Sequence, residues 1–227
     1  MNKLLYVMRT RLLIEKNQLT KVVIVHPAMR NLFIGLLLWP LYSQAQILGG
    51  PCQGCEALLE YGNKTLTSTD TLPGFKEGAP QMIIRGTVFQ KDGHTPAEGI
   101  IIYAYHTNSE GIYPTRGNET GWGRRHGYIR GWAITDKNGQ YTFYTFRPGS
   151  YPGRTAPAHV HLTIKEPGKR EYYIDDIMFE DDELLSQSIR KGRKNRGGNG
   201  IVNLKEENGF FWARRDIFLG LNIPNYR

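Results

Sequence analysis

Two alternating runs joined by Asp136-Lys137-Asn138-Gly139 constrain this chain more than any other feature. On the far side, QYTFYTF (Gln140–Phe146) interleaves aromatic with polar residues, as a half-buried strand does. On the near side, Ile129–Thr135 is a second short apolar run. An Asn-Gly pair between two such runs predicts a β-hairpin, with Asp136 as the turn residue.

Further runs of the same kind fill the chain. Gln81–Gln90, Gly99–Thr107, Ala158–Lys165, Ile201–Leu204 and Phe210–Leu219 all read as strands. Turn signals such as Lys91-Asp92-Gly93-His94-Thr95-Pro96 separate them. Only Asp181–Arg190 offers a helical pattern. The 13 Tyr, 9 Phe, 26 Gly and 12 Pro suit strands and turns rather than a helix bundle. The expected fold class is therefore all-β, an antiparallel β-sandwich over 81–227, preceded by an irregular arm over 46–80. At 227 residues the chain can bury one substantial core.

The N-terminal segment reads as an address. NLFIGLLLWPL (Asn31–Leu41) is apolar and uncharged, but shorter than the roughly 20 residues a spanning helix needs. Arg30 precedes it and Ser43-Gln44-Ala45 offers small residues for cleavage, so 1–45 is expected to be a signal peptide, with Met29 as an alternative start. The mature chain is then exported, periplasmic or secreted, with no membrane span. Five of the eight net positive charges fall in 1–45, where six basic residues face Glu15 alone. The remaining +3 does not call for a nucleic-acid partner. Lys191-Gly192-Arg193-Lys194-Asn195-Arg196 lacks interleaved aromatics and reads as a solvated loop. Cys52 and Cys55 form a CxxC without the further thiols or histidines of a zinc site, and export favours a short-loop disulfide.

The chemistry centres on His159-Val160-His161. Side chains at i and i+2 of a strand share one face, roughly 7 Å apart, so both imidazoles can converge on a metal while Val160 enters the core. Upstream, Pro148-Gly149 breaks a strand, and Pro152 and Pro157 stiffen the loop that holds Tyr151. A phenolate is a hard anionic donor, and a mixed Tyr/His set points to iron(III) rather than zinc.

From Gly86 to about Asp182 the chain resembles the intradiol ring-cleavage dioxygenases of the catechol and protocatechuate type. The matching text is Gly86-Thr87-Val88, YHTNSEGIY (Tyr105–Tyr113), RGWAITDKNGQY (Arg130–Tyr141), TFRPGSYP (Thr145–Pro152) and PAHVH (Pro157–His161). The resemblance implies a β-sandwich holding mononuclear non-haem iron(III) through Tyr113, Tyr151, His159 and His161. It implies an aromatic diol bound as the dianion, with Tyr151 leaving the metal to act as a base. Oxygen then attacks the ring, which opens between the hydroxyl-bearing carbons to give a muconate-type diacid.

Two positions depart from the family's pattern. Ala156 stands where an arginine usually precedes the Pro-Ala-His run, which leaves Arg154 as the candidate to stabilise developing negative charge. Asp176 falls near a substrate-side glutamine and, ionised, cannot donate a hydrogen bond. The N-terminal helical segment of the catechol-cleaving branch is missing too, so a homo-oligomer would need another interface. Arg124-Arg125-His126 is either a pocket wall or a solvated basic turn, and Trp122 and Trp132 read as core or rim aromatics. The competing reading is a non-catalytic, exported transthyretin-like sandwich acting as a binding module. It shares the Gly-Tyr turn pattern but needs neither Tyr113 nor the histidine pair.

Overall fold

Every second residue of the strand that carries the histidine pair faces a buried core, and this alternation organises the rest of the molecule. A computed structural model describes residues 47–153 and 155–227. The segment read as a signal peptide and Arg154 lie outside the described residues. The strands are β1 (Thr69–Thr71), β2 (Gln81–Phe89), β3 (Ile101–Tyr105), β4 (Arg130–Ile134), β5 (Gln140–Phe146), β6 (His159–Lys165), β7 (Tyr172–Tyr173), β8 (Ile177–Phe179), β9 (Ile201–Val202), β10 (Leu204–Glu207), β11 (Phe210–Arg214) and β12 (Ile217–Phe218). Two short helices are α1 (Gly123–His126) and α2 (Gln187–Gly192), and a 3-10 helix spans Cys55–Tyr61. Among the described residues no helix is long and apolar enough to cross a membrane.

Two sheets form a β-sandwich. One runs β1-β5-β2-β11-β10, with β12 also on β2. The other runs β4-β3-β6-β8-β9, with β7 also on β6. The central pairs β2–β5, β3–β4 and β3–β6 are antiparallel, as expected. The pairs β1–β5, β2–β11, β2–β12 and β8–β9 are parallel. Met82, Ile84, Val88, Tyr141 and Phe143 of the first sheet meet Ile102, Ala104, Ala133, Val160, Leu162 and Ile164 of the second in one buried cluster. Each fully buried Val, Leu or Ile in such a cluster stabilises the fold by about 1.5–3 kcal/mol relative to leaving it exposed.

Several sequence expectations change here. The Asp136–Gly139 turn forms as expected: Asp136 Oδ1 accepts from the backbone N–H of Asn138 and of Gln140. It is not a hairpin, however. β4 pairs with β3 while β5 pairs with β2, so the turn carries the chain from one sheet to the other. Both strands present apolar faces to the shared core, and burying them against each other across the sandwich outcompetes pairing them edge to edge. The expected strand Phe210–Leu219 divides into β11 and β12, and the helix lies later than expected, at Gln187–Gly192, where Ser186 Oγ caps the Ile189 N–H. The arm is not irregular throughout. Its 3-10 helix buries Ala57 and Leu58 against Tyr103 and Trp132, and β1 joins the first sheet.

The basic run near Arg196 is not a solvated loop either. Lys191 and Lys194 are exposed, but Arg196 is buried and its Nη2 donates to the carbonyls of Gly49 and Tyr173. Arg193 is similarly enclosed, with Nη2 donating to the Asp176 carbonyl. Glycine-rich backbone leaves carbonyls free to receive these guanidinium groups, which a reading by charge alone overlooks.

A buried histidine gives the fold a pH limit. His106 is fully enclosed; its Nδ1 donates to the Thr107 carbonyl and its Nε2 faces Thr145 Oγ1 at 2.6 Å. Burial pushes its pKa down to about 4, against about 6.5 for an unfolded histidine. Between these values the unfolded chain binds more protons, so stability falls as pH falls from about 6.5 towards 4. Urea midpoints measured across this range should decline, and the decline should be shallower in His106→Gln.

Candidate metal centre

The side of the second sheet turned away from the core carries the polar chemistry. Because Val160 and Leu162 point inward, His159, His161 and Thr163 of β6 point to this outer face, beside Tyr105 and Tyr103 of β3. His161 sits directly opposite Tyr105 in the ladder, and their rings stack at 4.6 Å.

Two loops bring tyrosines to the same point. Tyr113 follows β3, and Tyr151 lies between β5 and β6. The loops are laced together: Thr107 Oγ1 donates to the Gly149 carbonyl, and the Gly149 N–H donates to the Asn108 carbonyl, each at 2.8 Å. Asn108 Oδ1 also accepts from the N–H groups of Glu110 and Ile112, which shapes the turn into Tyr113. Gly111 sits at φ +77°, and a Cβ there would overlap the Ser150 carbonyl, so only glycine lets the two loops close.

The outcome is a ring of four donor atoms. Tyr113 Oη lies 2.8 Å from Tyr151 Oη and 2.8 Å from His161 Nε2. Tyr151 Oη lies 3.2 Å from His159 Nε2, and the two Nε2 atoms are 3.1 Å apart. The structure thus brings together all four residues singled out in the sequence as ligands. Arg154 lies outside the described residues.

The far side of each imidazole is tethered. His159 Nδ1 donates to the Pro157 carbonyl at 2.7 Å, and His161 Nδ1 donates to Asp176 Oδ1 at 3.0 Å. Carbonyl and carboxylate oxygens only accept, so both Nδ1 atoms carry a hydrogen and both Nε2 atoms are turned toward the phenol oxygens. His159, His161 and Asp176 offer ligand-type atoms within 4.8 Å of one another, but the bond to His161 makes Asp176 that ring's orienting partner.

The electrostatics follow from this packing. Burial first, and then the hydrogen bond to Tyr151, raise the Tyr113 phenol above its ordinary range. Burial first, and then the neighbouring His161, lower the His159 pKa. Burial opposes ionisation of Asp176, yet His161, His159 and Arg193 together outweigh it and the carboxyl sits below its usual range.

Sequence reasoning missed three contributors. Asp176 was read as a substrate-side position, but it anchors His161. Tyr105 lies between His161 and His126, stacking on the latter at 3.9 Å and nearly parallel. In the short basic helix α1, Arg124 and Arg125 are exposed but His126 is buried, with Nδ1 2.9 Å from Tyr103 Oη, and burial pushes its pKa down to about 4. The alternation of Tyr103 and Tyr105 on β3 was the available signal for this aromatic layer.

A family model described as a dioxygenase matches residues 57–208. The chain belongs to the intradiol dioxygenase family. Among solved structures, catechol 1,2-dioxygenase from Acinetobacter radioresistens is 20% identical, with a TM-score of 0.51 over 67% of this chain and 56% of that one. Catechol 1,2-dioxygenase from Pseudomonas arvilla C-1 is also 20% identical, with a TM-score of 0.51 over 76% of this chain and 60% of that one. The chain therefore spans little more than half the length of these relatives, with which it shares the fold.

The close approach at Gly111 gives a direct test of how the loops are held. Gly111→Val should cost at least about 1–3 kcal/mol, from a strained positive φ and a backbone overlap. The urea midpoint should fall, and near-ultraviolet circular dichroism should report altered tyrosine packing.

Proposed function

We propose that Tyr113, Tyr151, His159 and His161 hold one iron(III) ion, and that the protein uses it to open catechol-type aromatic diols between the hydroxylated carbons with O2. The observation that carries this reading is the ring of four donor atoms. Two Nε2 atoms held 3.1 Å apart, with a phenol oxygen 2.8 Å from one and 3.2 Å from the other, converge closely enough for one cation to be shared by all four donors. The raised phenol of Tyr113 calls for a cation before it can bind as phenolate. Two phenolates and two neutral imidazoles together suit a hard trivalent ion. Membership of the dioxygenase family supports the same reading.

When bound, iron(III) supplies Lewis acidity and a template for the two oxygens of the diol. The chain's own residues do the rest. His159 and His161 keep their Nε2 atoms aimed at the centre because Pro157 and Asp176 hold the opposite nitrogens. Tyr151 stands on a loop between Pro148 and Pro152, where its oxygen can take a proton from a substrate hydroxyl. Tyr113, tied into the Asn108 turn, stays in place. Arg154 is the proposed source of positive charge for the developing product, in the absence of an arginine at Ala156. A non-catalytic sandwich would have no use for four converging donors.

Export belongs to the proposal as well. The apolar segment Asn31–Leu41 and Ser43-Gln44-Ala45 carry it, and the Cys52–Cys55 disulfide suits an oxidising compartment.

The test is oxygen consumption with catechol, coupled to mass analysis of the product. The expected result is one O2 consumed per diol and a ring-opened diacid heavier than catechol by both oxygen atoms. Consumption of O2 with only quinone formed would overturn the ring-cleavage reading. Tyr113→Phe combined with His161→Ala should abolish iron retention, and full retention would refute the ligand assignment. Asp176→Ala should weaken iron affinity by about 10–100-fold through loss of the His161 tether, measurable by competition with a chelator.

A further inference from the structure

Arg193 stands where the short helix α2 ends, and its backbone N–H closes the last turn on the Arg190 carbonyl. The chain beyond is pinned to the second sheet, because Asp175 Oδ2 accepts from the Asn195 N–H at 2.8 Å. The Arg193 side chain is folded back over β8 rather than into water, and only 7% of it is exposed.

The strand it covers is the neighbour of the histidine strand. β8 pairs with β6 so that Val160 lies opposite Ile177 and His159 lies opposite Met178. Val160 and Ile177 both point into the core. His159 and Met178 therefore project side by side from the outer face, at the spacing of a cross-strand pair. Asp176, the residue before β8, holds His161 Nδ1. The segment 176–178 thus borders both imidazoles.

One guanidinium grips this segment at both ends. Arg193 Nη2 donates to the Asp176 carbonyl at 2.6 Å, and Nη1 donates to the Met178 sulfur at 3.0 Å. Asp175 Oδ2 faces Nη2 at 3.6 Å and offsets the buried charge. The amino groups of a guanidinium are fixed in one plane, so the two contacts set Asp176 and Met178 relative to each other. A lysine ammonium is a point charge on a flexible stem and cannot hold both. Gly200 completes the cradle. A Cβ there would overlap both the Asp176 carbonyl oxygen and Arg193 Nη2, and the Met178 N–H donates to the Gly200 carbonyl at 2.9 Å.

We infer that Arg193 is a positioning residue for the metal centre: its fork locks the segment 176–178, and so aims His161 through Asp176 and confines His159 through Met178. This rests on the ligand reading given above, although the ring orientations it concerns exist without metal.

The test compares the wild-type full chain with Arg193→Lys, which keeps the charge and loses the fork, and with Arg193→Met, which keeps the apolar stem alone. Arg196→Lys is the control: Arg196 is similarly buried and also donates to carbonyls, but to those of Gly49 and Tyr173. Iron(III) affinity is read by competition with a chelator. Both Arg193 variants should lose at least about tenfold, whereas Arg196→Lys should stay near the wild-type value even as its urea midpoint falls. Wild-type affinity in Arg193→Lys overturns the inference, because charge alone would then suffice. So does an equal loss in Arg196→Lys, which would mark a general loss of packing. Nitrogen-15 NMR of the metal-free chains reads the rings themselves. The His161 Nδ1–H signal should be single and sharp in the wild type, and broadened or divided between tautomers in both Arg193 variants. An unchanged signal overturns the inference. A wild-type chain that takes up no iron is a distinct result: it removes the ligand reading, and the NMR comparison then decides the inference alone.

Discussion

The burial of Val160, Leu162 and Ile164 between two sheets is the constraint on which the rest of the molecule depends. Sheet geometry allows a strand no freedom to turn one side chain independently of its neighbours. Once these three are fixed in the core, His159 and His161 must project from the opposite face, side by side. Each imidazole then needs only one further contact to be aimed, and each has one: the Pro157 carbonyl for His159 and the Asp176 carboxylate for His161. Hydrophobic burial therefore sets the direction of the histidines, and two hydrogen bonds set their rotation.

The tyrosines are positioned by different means. Neither lies on a strand, and their loops have no apolar core of their own. Backbone lacing between the two loops brings the phenol oxygens to 2.8 Å of each other, and Gly111 permits the approach. The centre thus combines a rigid half built on a sheet with a half built on two mutually braced loops. That asymmetry suits a site in which one tyrosine is proposed to stay in place while the other moves a proton. It also concentrates polar groups in a partly buried position, where the raised Tyr113 phenol shows how costly a negative charge is without a cation beside it.

Local patterns in the sequence were reliable where local physics decides. Short apolar runs located β2 and β3, alternation located β5 and β6, and the spacing of His159 and His161 gave their shared face. Asp136 folded its turn as expected, because its carboxylate closes on N–H groups two and four residues away. What the turn connects was not legible, since both pairing partners of β4 and β5 lie far along the chain. The same holds for the arm. Nothing within Pro51–Tyr61 announces that it will pack on Tyr103, His126 and Trp132, residues that are themselves scattered over three elements. Asp176 was placed by its alignment with a substrate-side glutamine and Arg196 by the charge of its run, whereas the contacts they make are with a ring nitrogen and with carbonyls delivered by distant backbone.

The central claim is that the four converging donors hold iron(III) through phenolate oxygen, and an iron titration followed by visible absorption tests it most directly. The full chain, stripped of metal and reloaded, should take up one iron per chain and develop a broad visible charge-transfer band from tyrosinate to iron(III), with a reddish colour. A folded protein that stays colourless and iron-free after reconstitution would contradict the assignment and leave the chain a family member that kept the sandwich without its metal.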